Sequence, residues 1–581
     1  MKLFFLMGVM GVMLLSLQIS CKKNAGGGGD VTPLPTDTTV VIAPAIDPPV
    51  ANTIGFFLDD WQPKTFSAPL SAVTTTTIPG TALYTVTVDR SAVLTKIPRS
   101  LFGNNANIWM TQMVTEPSLL DHISTIHPHI VRFPGGSISD VYFWNAQPNI
   151  PPADAPAQLL NAAGLSSAAG YWYGKNTANW TISLDNYYSM LQQTGNQGMI
   201  TINYGYARYG KSSNPVATAA HLAADWVRYD NGRTKFWEIG NENFGDWEAG
   251  YRIKLSDNQD GQPEFLTGQL YGQHFKVFAD SMRKAALEIG KTVYIGAVTS
   301  EAAPQPWWTE TAKNWNTGLF TAAAHSPDYN IVHNYYTSYN ENSTADVILN
   351  TPVPVTQTMM EYVKQSIATG GVTLKPIILG EWNIFAVGSK QAVSHINGLH
   401  AVMVLGESIK NKFGMTARWD MANGWDSGND HGMFNIGDEP DAIPKWNPRP
   451  AFYHMYFFQK FLGDRMVSSL SSSTDIISYA SSYTSGEVGV TLINKSTELK
   501  PVEVKVQNFR KGSKFYWFTV TGGGDNGEFS RKVLINGTGP AGAAGGPVDY
   551  KTIVPNAASA ANGIRVLVPA RSAVFIAIEK Q

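Results

Sequence analysis

Short apolar segments alternate with longer amphipathic segments between residues 101 and 421, and this alternation constrains the fold more than any other feature. Eight apolar segments have the length and composition of buried strands, namely residues 101–109, 130–136, 198–205, 236–242, 293–298, 329–336, 376–381 and 415–421. The segments between them have helical spacing, for example residues 184–194, 217–229, 268–289, 359–369 and 389–412. Eight strand and helix alternations over about 320 residues predict an α/β fold, a (β/α)8 TIM barrel with insertions.

A different pattern follows the predicted barrel. Short strands and glycine-rich turns predict a C-terminal antiparallel β-sandwich, with strands at residues 475–479, 488–493, 502–506, 514–519 and 564–578. Residues 81–90 (TALYTVTVDR) alternate cleanly, and we expect this N-terminal strand to be completed in the sheet of the sandwich. The chain therefore divides into a lead-in with that strand (residues 51–98), a barrel (residues 99–462) and a sandwich (residues 463–581).

The N-terminal residues have the pattern of an exported bacterial lipoprotein. Lys2 precedes an apolar run at residues 3–17, which is short for a membrane span and typical of a signal-peptide core. Residues 17–21 (LQISC) resemble a lipoprotein cleavage box, so we interpret residues 1–21 as a signal peptide that ends at a lipidated Cys21. Residues 22–50 are rich in glycine, proline and threonine and form a predicted flexible linker.

This interpretation places the protein in the cell envelope, attached to a bacterial membrane by its lipid. The outer membrane is favoured, and the choice between its periplasmic and surface faces stays open. Ordinary secretion is the alternative.

Composition excludes some function classes. The 43 Lys+Arg and 45 Asp+Glu residues give a formal net charge of -2, which offers no basic surface for nucleic acid. Cys21 is the single cysteine, so an intrachain disulfide and a cysteine-based metal site are both excluded. We expect no cofactor and no metal, because the acidic run at residues 426–431 (DSGNDH) is better interpreted as a polar loop.

Two glutamates end apolar segments that lie far apart in the sequence. Glu242 follows residues 236–241 (FWEIGN), and Glu381 follows residues 376–380 (PIILG). Because chemistry in a TIM barrel takes place at the carboxyl ends of the strands, we predict that both face one cleft. The other polar residues at strand ends are Arg132, Asn203, His333 and Trp419. A second Asn-Glu pair, Asn340–Glu341, lies in a polar stretch and is interpreted as a loop.

Two carboxyl groups across a cleft suit the hydrolysis of a glycosidic bond. One carboxyl protonates the leaving oxygen, while the other attacks the sugar or activates water. A separation of about 5 to 5.5 Å predicts retention of the anomeric configuration, and roughly 6.5 to 9.5 Å predicts inversion. The aromatic content of 11% fits a saccharide partner, because tryptophan and tyrosine rings can stack on the C–H faces of sugars.

Taken together, Asn241–Glu242 and Glu381–Trp382–Asn383 resemble the catalytic segments of the large clan of retaining barrel glycosidases. Residues 132–136 (RFPGG), Asp246–Trp247 and residues 333–335 (HNY) are similar to segments of the α-L-arabinofuranosidases of glycoside hydrolase family fifty-one.

The resemblance implies a double displacement in which Glu381 is the nucleophile and Glu242 the acid/base, with a raised pKa. It also implies substrate-binding or steering roles for Arg132, Asn241, His333, Tyr335, Trp382 and Trp419. Arg132 is a candidate to keep Glu381 ionised, with a structural salt bridge as the alternative. Trp419 is a candidate platform on which a sugar stacks.

Some segments depart from the family. Residues 103–105 (GNN) stand where the family has a glutamate, Ser137 replaces an asparagine, and residues 418–426 differ from the family's strand-eight region. Arabinofuranosidase-like action on a polysaccharide or oligosaccharide is therefore the first interpretation, and endo action on a pyranose backbone is the second. A non-catalytic, carbohydrate-binding surface lipoprotein is the third.

Overall fold

The structure is a computed structural model that describes residues 47–581 except 76–77, 128, 426–430, 525–526 and 528. The predicted signal peptide, Cys21 and nearly all of the predicted linker lie outside the described residues. So does most of the acidic run at residues 426–431. Among the described helices, none combines the length and apolar character needed to span a membrane.

Eight parallel strands close into a barrel, as the alternation in the sequence predicts. The strands, in chain order, are Gly103–Asn105, Ile130–Phe133, Gln197–Ile202, Thr234–Ile239, Tyr294–Val298, Tyr329–Tyr335, Ile377–Asn383 and Thr416–Arg418. Each predicted segment contains, or closely overlaps, one of these strands. The eighth strand pairs with the first through Ala417 and Gly103, which closes the barrel.

Helices connect the barrel strands, and their ends follow ordinary capping chemistry. The helix Leu184–Thr194 has the predicted bounds, because the Ser183 hydroxyl accepts the N–H of Asn186 and Gly195 ends the helix at φ 69°. The predicted helix at residues 389–412 is two helices, with Ser394 capping the second. The α-helices are Pro117–Ile126, Leu184–Thr194, Gly205–Tyr209, Pro215–Asp230, Gly268–Glu288, Glu310–Lys313, Trp315–Ala323, Ala345–Asn350, Pro352–Thr369, Ser389–Ala392, His395–Lys410 and Pro450–Phe461.

Short elements fill the loops. The 3-10 helices are Pro49–Asn52, Gly55–Leu58, Arg99–Phe102, Ser137–Val141 and Leu255–Asp257. Three two-stranded sheets pair Tyr142–Phe143 with Trp172–Tyr173, Gln158–Leu160 with Ser166–Ala168, and Ala422–Asn423 with Phe434–Asn435.

The lead-in closes the amino end of the barrel. Phe57, in the 3-10 helix Gly55–Leu58, is 1% exposed and stacks on Phe236 with ring centroids 5.1 Å apart. Its ring also meets Tyr329 edge-on at 5.7 Å. These rings belong to a small core of their own, with Ile54, Ile130, Met199, Ile331, Ile378 and Met415. The sequence indicated only an ordered segment here, and the structure shows an apolar plug.

The C-terminal region forms an eleven-stranded sheet around a second core. Its strands are Val73–Thr74, Tyr84–Lys96, Arg465–Ser471, Ile476–Ser482, Val488–Asn494, Lys500–Gln507, Lys511–Gly522, Val533–Ile535, Asn556–Ser559, Ile564–Val568 and Ser572–Lys580. The N-terminal strand Tyr84–Lys96 lies inside this sheet, between Arg465–Ser471 and Lys500–Gln507.

Two details of the predicted sandwich were wrong. The sheet is mixed, because Tyr84–Lys96 runs parallel to Lys500–Gln507 and Val73–Thr74 runs parallel to Asn556–Ser559. The segment at residues 564–578 is two strands, since the chain turns between Val568 and Ser572. Arg571 in that turn has φ 45°, a left-handed conformation that a continuous strand does not contain.

The helix Pro450–Phe461 joins the barrel to the sheet. Phe457 packs on Phe518 at 4.7 Å and on Phe575 at 6.1 Å between ring centroids, and both partners lie in the sheet. The helix also packs against the barrel helix His395–Lys410. The barrel and the sheet therefore share one continuous apolar core.

Candidate active site

The two predicted glutamates meet at the carboxyl rim of the barrel. Glu242 follows the fourth strand, Thr234–Ile239, and Glu381 lies in the seventh strand, Ile377–Asn383. An oxygen of Glu242, an oxygen of Glu381 and a ring nitrogen of His333 all lie within 4.8 Å of one another. This close approach of one oxygen from each carboxyl group is of the size expected for a retaining pair, whose carboxyl groups lie roughly 5 to 5.5 Å apart.

A tight turn presents the Glu242 side chain. Gly240 has φ 79° and Glu242 has φ 41°, so the chain reverses within three residues of the strand end. Asp140 holds this turn, because its Oδ2 accepts the backbone N–H of Asn241 at 3.2 Å and the side-chain amide of Asn243 at 2.7 Å. A side chain on Gly240 would lie 1.9 Å from the Asn243 amide oxygen, so only glycine fits there.

Arg132 at the end of the second strand connects the site. Its fully buried guanidinium donates to Glu238 at 2.7 Å and to Glu381 at 3.2 Å. It also donates to the amide oxygens of Asn105 at 2.9 Å and Asn241 at 2.8 Å. Because the guanidinium is planar and permanently charged, these bonds fix the position of Glu381, and the charge of Arg132 opposes the rise in the pKa of Glu381 that burial causes.

His333 lies between the carboxyl groups. Its Nδ1 is 2.8 Å from an oxygen of Glu242 and 3.9 Å from an oxygen of Glu381. Its Nε2 lies 3.7 Å from an oxygen of Glu238. With acidic oxygens near both ring nitrogens, the imidazolium form is favoured.

Tyr335 completes the contacts of Glu381. Its hydroxyl donates to Glu381 Oε1 at 2.5 Å, so the second carboxyl oxygen also has a donor. The ring of Tyr335 stacks on Phe385 with centroids 4.2 Å apart, and this contact holds the hydroxyl in place. Glu381 is therefore held in one orientation through both carboxyl oxygens.

Comparisons with known proteins agree with this architecture. No family model matches the sequence. The α-L-arabinofuranosidase of Thermotoga maritima, solved as an arabinose complex, superposes with a TM-score of 0.57 over 85% of this chain and 100% of that one, at 17% identity. A family 51 α-L-arabinofuranosidase of Bifidobacterium longum superposes with a TM-score of 0.57 over 86% of this chain and 100% of that one, at 14% identity. The chain has the fold of the family 51 α-L-arabinofuranosidases.

Other neighbours share this fold. A family 44 xyloglucanase of Paenibacillus polymyxa superposes with a TM-score of 0.55 over 86% of this chain and 99% of that one, at 11% identity. In sequence, a probable α-L-arabinofuranosidase C of Aspergillus terreus is 21% identical over 304 residues, which are 47% of this chain. The match spans about half of that relative, 52% of its length. The family 51 fold thus serves enzymes with different substrates, so the residues of the site must carry the functional argument.

The charges at this site are distributed differently from the sequence-based expectation. Burial raises the pKa of Glu242, but the His333 hydrogen bond, with the charges of His333 and Arg132, outweighs burial and lowers its pKa. Burial lowers the pKa of His333, but the hydrogen bond to Glu242 and the charge of Glu381 raise its pKa overall. The predicted raised pKa of Glu242 was therefore wrong, and the two shifts together favour the proton on His333 over the proton on Glu242.

The pKa of Glu381 shifts in the opposite direction to the pKa of Glu242. Burial raises its pKa, and the charge of Glu242 adds to this, while His333, Arg132 and the Tyr335 hydroxyl act against it. The net pKa of Glu381 is raised. Two carboxyl groups this close cannot both be ionised cheaply, and one imidazolium between them relieves the repulsion.

A divalent cation is the alternative occupant of this cluster, since Glu242, His333 and Glu381 offer suitable ligand atoms. Hydrogen bonds already use these atoms: Tyr335 and Arg132 donate to Glu381, and Trp247 donates to Glu242 at 3.2 Å. The guanidinium 3.2 Å from Glu381 also repels a cation. The arrangement therefore suits proton transfer and nucleophilic attack better than metal binding.

The residues predicted to bind substrate do not all reach the cleft. Trp382 is fully buried in the core, because alternation along the strand turns it away from the face that carries Glu381. Its predicted role in substrate binding was wrong. Arg132 is fully buried as well, so it acts on Glu381 and Asn241 and does not touch a sugar. Asn241 is 1% exposed and donates to Glu248 at 2.9 Å, which leaves one amide hydrogen for a substrate.

Trp419 is half-buried at the end of the eighth strand, beside the double glycine that follows Arg132. A side chain on Gly136 would lie 2.7 Å from the Trp419 ring, so the glycine makes room for the indole. The Trp419–Asp420 peptide bond is cis. The closeness of its ring to Gly135 and Gly136 places Trp419 at the border of the cleft. Stacking of this ring on a sugar stays a prediction.

Four residues of the site were not predicted. Glu238 accepts the Arg132 guanidinium, and a charged residue within an apolar strand was the available clue. Asp140 and Glu248 are buried acids behind the Glu242 turn, and no sequence pattern marks them. Asn105, at the position of the departure from the family, donates to the carbonyl oxygens of Gly380, Ala417 and Arg418 and so ties the first strand to the site.

Proposed function

We propose that the protein is a retaining glycoside hydrolase, α-L-arabinofuranosidase-like, that cleaves polysaccharide or oligosaccharide substrates by double displacement. The observation that carries the proposal is the approach of Glu242 and Glu381 within 4.8 Å at the carboxyl rim of the barrel. The family 51 fold and the arabinofuranosidase relative support the choice of sugar.

In the first step, a Glu381 oxygen attacks the anomeric carbon, and the bond from that carbon to the leaving oxygen breaks. Tyr335 and Arg132 aim the attacking carboxylate. His333 passes its proton along the 2.8 Å hydrogen bond to Glu242, and Glu242 passes a proton to the leaving oxygen. Glu242 therefore ends the step as a carboxylate and His333 as a neutral imidazole. Because the contacts with Glu242 and Glu381 raise the pKa of His333 and favour its imidazolium form, the pair acts as one acid.

In the second step, Glu242 accepts a proton from water while the water oxygen attacks the anomeric carbon. The ester bond to Glu381 breaks, and the sugar leaves with its original configuration. Glu248, behind Asn241, supports this switch of roles. Burial and the charges of Asp140 and Glu242 raise the pKa of Glu248 well above its usual value, which favours its neutral form and so limits the charge behind the acid/base.

The test is a panel of p-nitrophenyl glycosides, including the α-L-arabinofuranoside, with the product anomer read by NMR. Turnover with retention supports the proposal, whereas inversion contradicts it. The Glu381→Ala variant should lose activity by at least about a thousandfold, because the nucleophile is removed. Glu341→Gln is the matched control, since Glu341 is the exposed member of the other Asn-Glu pair and should keep full activity.

Endo action on a pyranose backbone is the second candidate. It is favoured by the similarity in fold to the family 44 xyloglucanase and by the exposure of Trp247 and Trp307, which are 60% and 78% exposed. Product lengths from a soluble polysaccharide decide between the two, because exo action releases single sugars and endo action releases a ladder. A protein that binds polysaccharide without turning over any glycoside would instead be the non-catalytic lipoprotein.

We also propose the lipid anchor at Cys21, which rests on the cleavage box in the sequence alone. Labelling with a fatty-acid probe in cells should mark the wild-type chain and leave Cys21→Ser unlabelled. Membrane fractionation should then follow the label. Labelling of both chains, or of neither, would contradict the anchor.

A further inference from the structure

A second concavity opens beside Glu242, with a volume of about 260 Å³. Two loops form it, the one after the fourth barrel strand and the one after the fifth. The residues that matter for its chemistry are Phe244, Trp247, Glu301, Trp307 and Trp308. We call it the aromatic cleft, because four of these five side chains carry aromatic rings.

The aromatic cleft is continuous with the catalytic residues. The indole N–H of Trp247 donates to the Glu242 oxygen at 3.2 Å, so this ring borders both places. Glu242 is the group that delivers a proton to the leaving oxygen in the proposed mechanism. Whatever is bonded to that oxygen must then lie on the Glu242 side of the site, where the aromatic cleft opens.

Two of the four rings of the aromatic cleft are unusually open to solvent. Trp247 is 60% exposed and Trp307 is 78% exposed, although tryptophan is among the residues that gain most from burial. Trp247 is nevertheless held in place, since Phe244 meets it edge-on at 6.2 Å and itself packs on the buried Trp315 at 6.1 Å. Fixed, exposed aromatic faces are suited to the C–H face of a sugar ring.

Glu301 gives the aromatic cleft a polar group. Burial and the negative charge of Glu242 raise the pKa of Glu301 to about 7. Near neutral pH its carboxyl can therefore donate a hydrogen bond as well as accept one. Sugar hydroxyls require both kinds of partner, and a purely apolar pocket would supply neither.

We propose that the aromatic cleft binds the leaving-group sugar, so that the substrate is a saccharide whose leaving group is itself at least one sugar ring. The inference rests on the proposed glycosidase function and adds its leaving-group specificity. In the second step the aromatic cleft can also bind an acceptor sugar. A hydroxyl oxygen of that acceptor then attacks the glycosyl-enzyme in place of water. Glu242 takes the hydroxyl proton, and the bond to Glu381 breaks.

The experiment compares substrates with and without a leaving-group ring. The ratio of kcat/KM for arabinotriose to kcat/KM for α-L-arabinofuranosyl fluoride is measured in wild type and in Trp307→Ala. Fluoride has no ring, so the variant should lower the ratio by about 5- to 10-fold, as expected for the loss of one stacking contact. Trp180→Ala is the matched control, because Trp180 is 49% exposed but outside the aromatic cleft, and it should leave the ratio unchanged.

A second readout uses transfer to xylobiose as the acceptor during turnover of the fluoride. Trp307→Ala and Glu301→Gln should both lower the ratio of transfer product to hydrolysis product, whereas Glu310→Gln, an exposed glutamate in the same region, should not. Equal losses on both substrates with an unchanged transfer ratio would overturn the inference and leave the hydrolase intact. Absence of turnover on the full glycoside panel by wild type would instead overturn the proposed function.

Discussion

The two ends of the barrel are filled in opposite ways. At the carboxyl rim, the buried charges of Arg132, Glu238 and Glu381 face one another through hydrogen bonds. At the amino end, Phe57 and Phe236 close the same sheet with apolar contacts alone. Buried ion pairs cost desolvation energy that hydrophobic packing does not, so the rim maintains geometry at the expense of stability, while the plug contributes stability. The predictions below test this division.

The largest effect is expected from Arg132→Met, which breaks the charged end. It leaves Glu238 and Glu381 buried without their cation, so unfolding should become easier by about 3 to 5 kcal/mol. Activity should fall by at least about a thousandfold, because the nucleophile loses its position. Urea unfolding and aryl-glycoside kinetics measure the two losses. Arg132→Lys should regain much of the stability but little of the activity, because one ammonium group cannot hold the four acceptors of the planar guanidinium in place. A fully active lysine variant would contradict the role of Arg132 in positioning Glu381.

Phe57→Ala breaks the other end. Removing a buried ring should lower the free energy of unfolding by about 3 to 5 kcal/mol, through lost burial and the cavity left behind. Activity per folded molecule should stay at the wild-type level at low temperature, since the plug lies at the opposite end from Glu381. Thermal unfolding and active-site titration separate the two quantities. A variant that is stable but inactive would mean that the plug controls the rim directly.

Tyr335→Phe sharpens the comparison within the rim. The variant keeps the stacking on Phe385 but removes one donor from Glu381. A hydrogen bond to a charged group contributes about 1.5 to 3 kcal/mol, so kcat should fall roughly 10- to 100-fold. Phe385→Leu, which disturbs only the stacking, should lose less. If Tyr335→Phe lowers the free energy of unfolding by more than it raises the activation free energy calculated from kcat, the hydroxyl serves stability and not catalysis.

The smallest effect is expected for the pH dependence of His333→Gln. The pKa of His333 is raised above its ordinary value, so in wild type the proton shared with Glu242 is retained to higher pH than on a free imidazole and is lost as the pH rises through that raised pKa. Without the imidazole, Glu242 must hold that proton alone. The alkaline limb of kcat/KM should therefore move to lower pH by about one unit. An alkaline limb that stays in place, or moves to higher pH, would remove His333 from the proton path.

The sequence predicted those parts of the structure that depend on residues close together in the chain, and it missed parts that depend on residues far apart. The eight barrel strands follow from local periodicity, and Glu242 and Glu381 were recognised because each ends such a strand. The apolar plug has only four residues in its helix, Gly55–Leu58, too few for any period to be detected. Asp140 sits in a 3-10 helix whose sequence carries no sign that it holds the Glu242 turn.

Other errors came from partners that are distant in the chain. The direction of Tyr84–Lys96 was not predictable, because a strand's own residues do not state whether its neighbour runs parallel. Trp382 was assigned to the substrate although strand alternation, applied from Glu381, places it on the other face. That error was avoidable, whereas the aromatic cleft, built by two loops whose rings meet only in three dimensions, was not.

The position of Tyr84–Lys96 inside the C-terminal sheet has a consequence for biosynthesis. Asn508 donates to Asp89 across 419 residues of chain, so an early strand receives its neighbour only near the end of translation. The ribosome therefore synthesises the whole barrel before this strand is paired on both edges. A gene truncated after residue 462 would keep this strand but encode neither of its partners, so the shortest expressible form of the protein must include both the barrel and the C-terminal sheet.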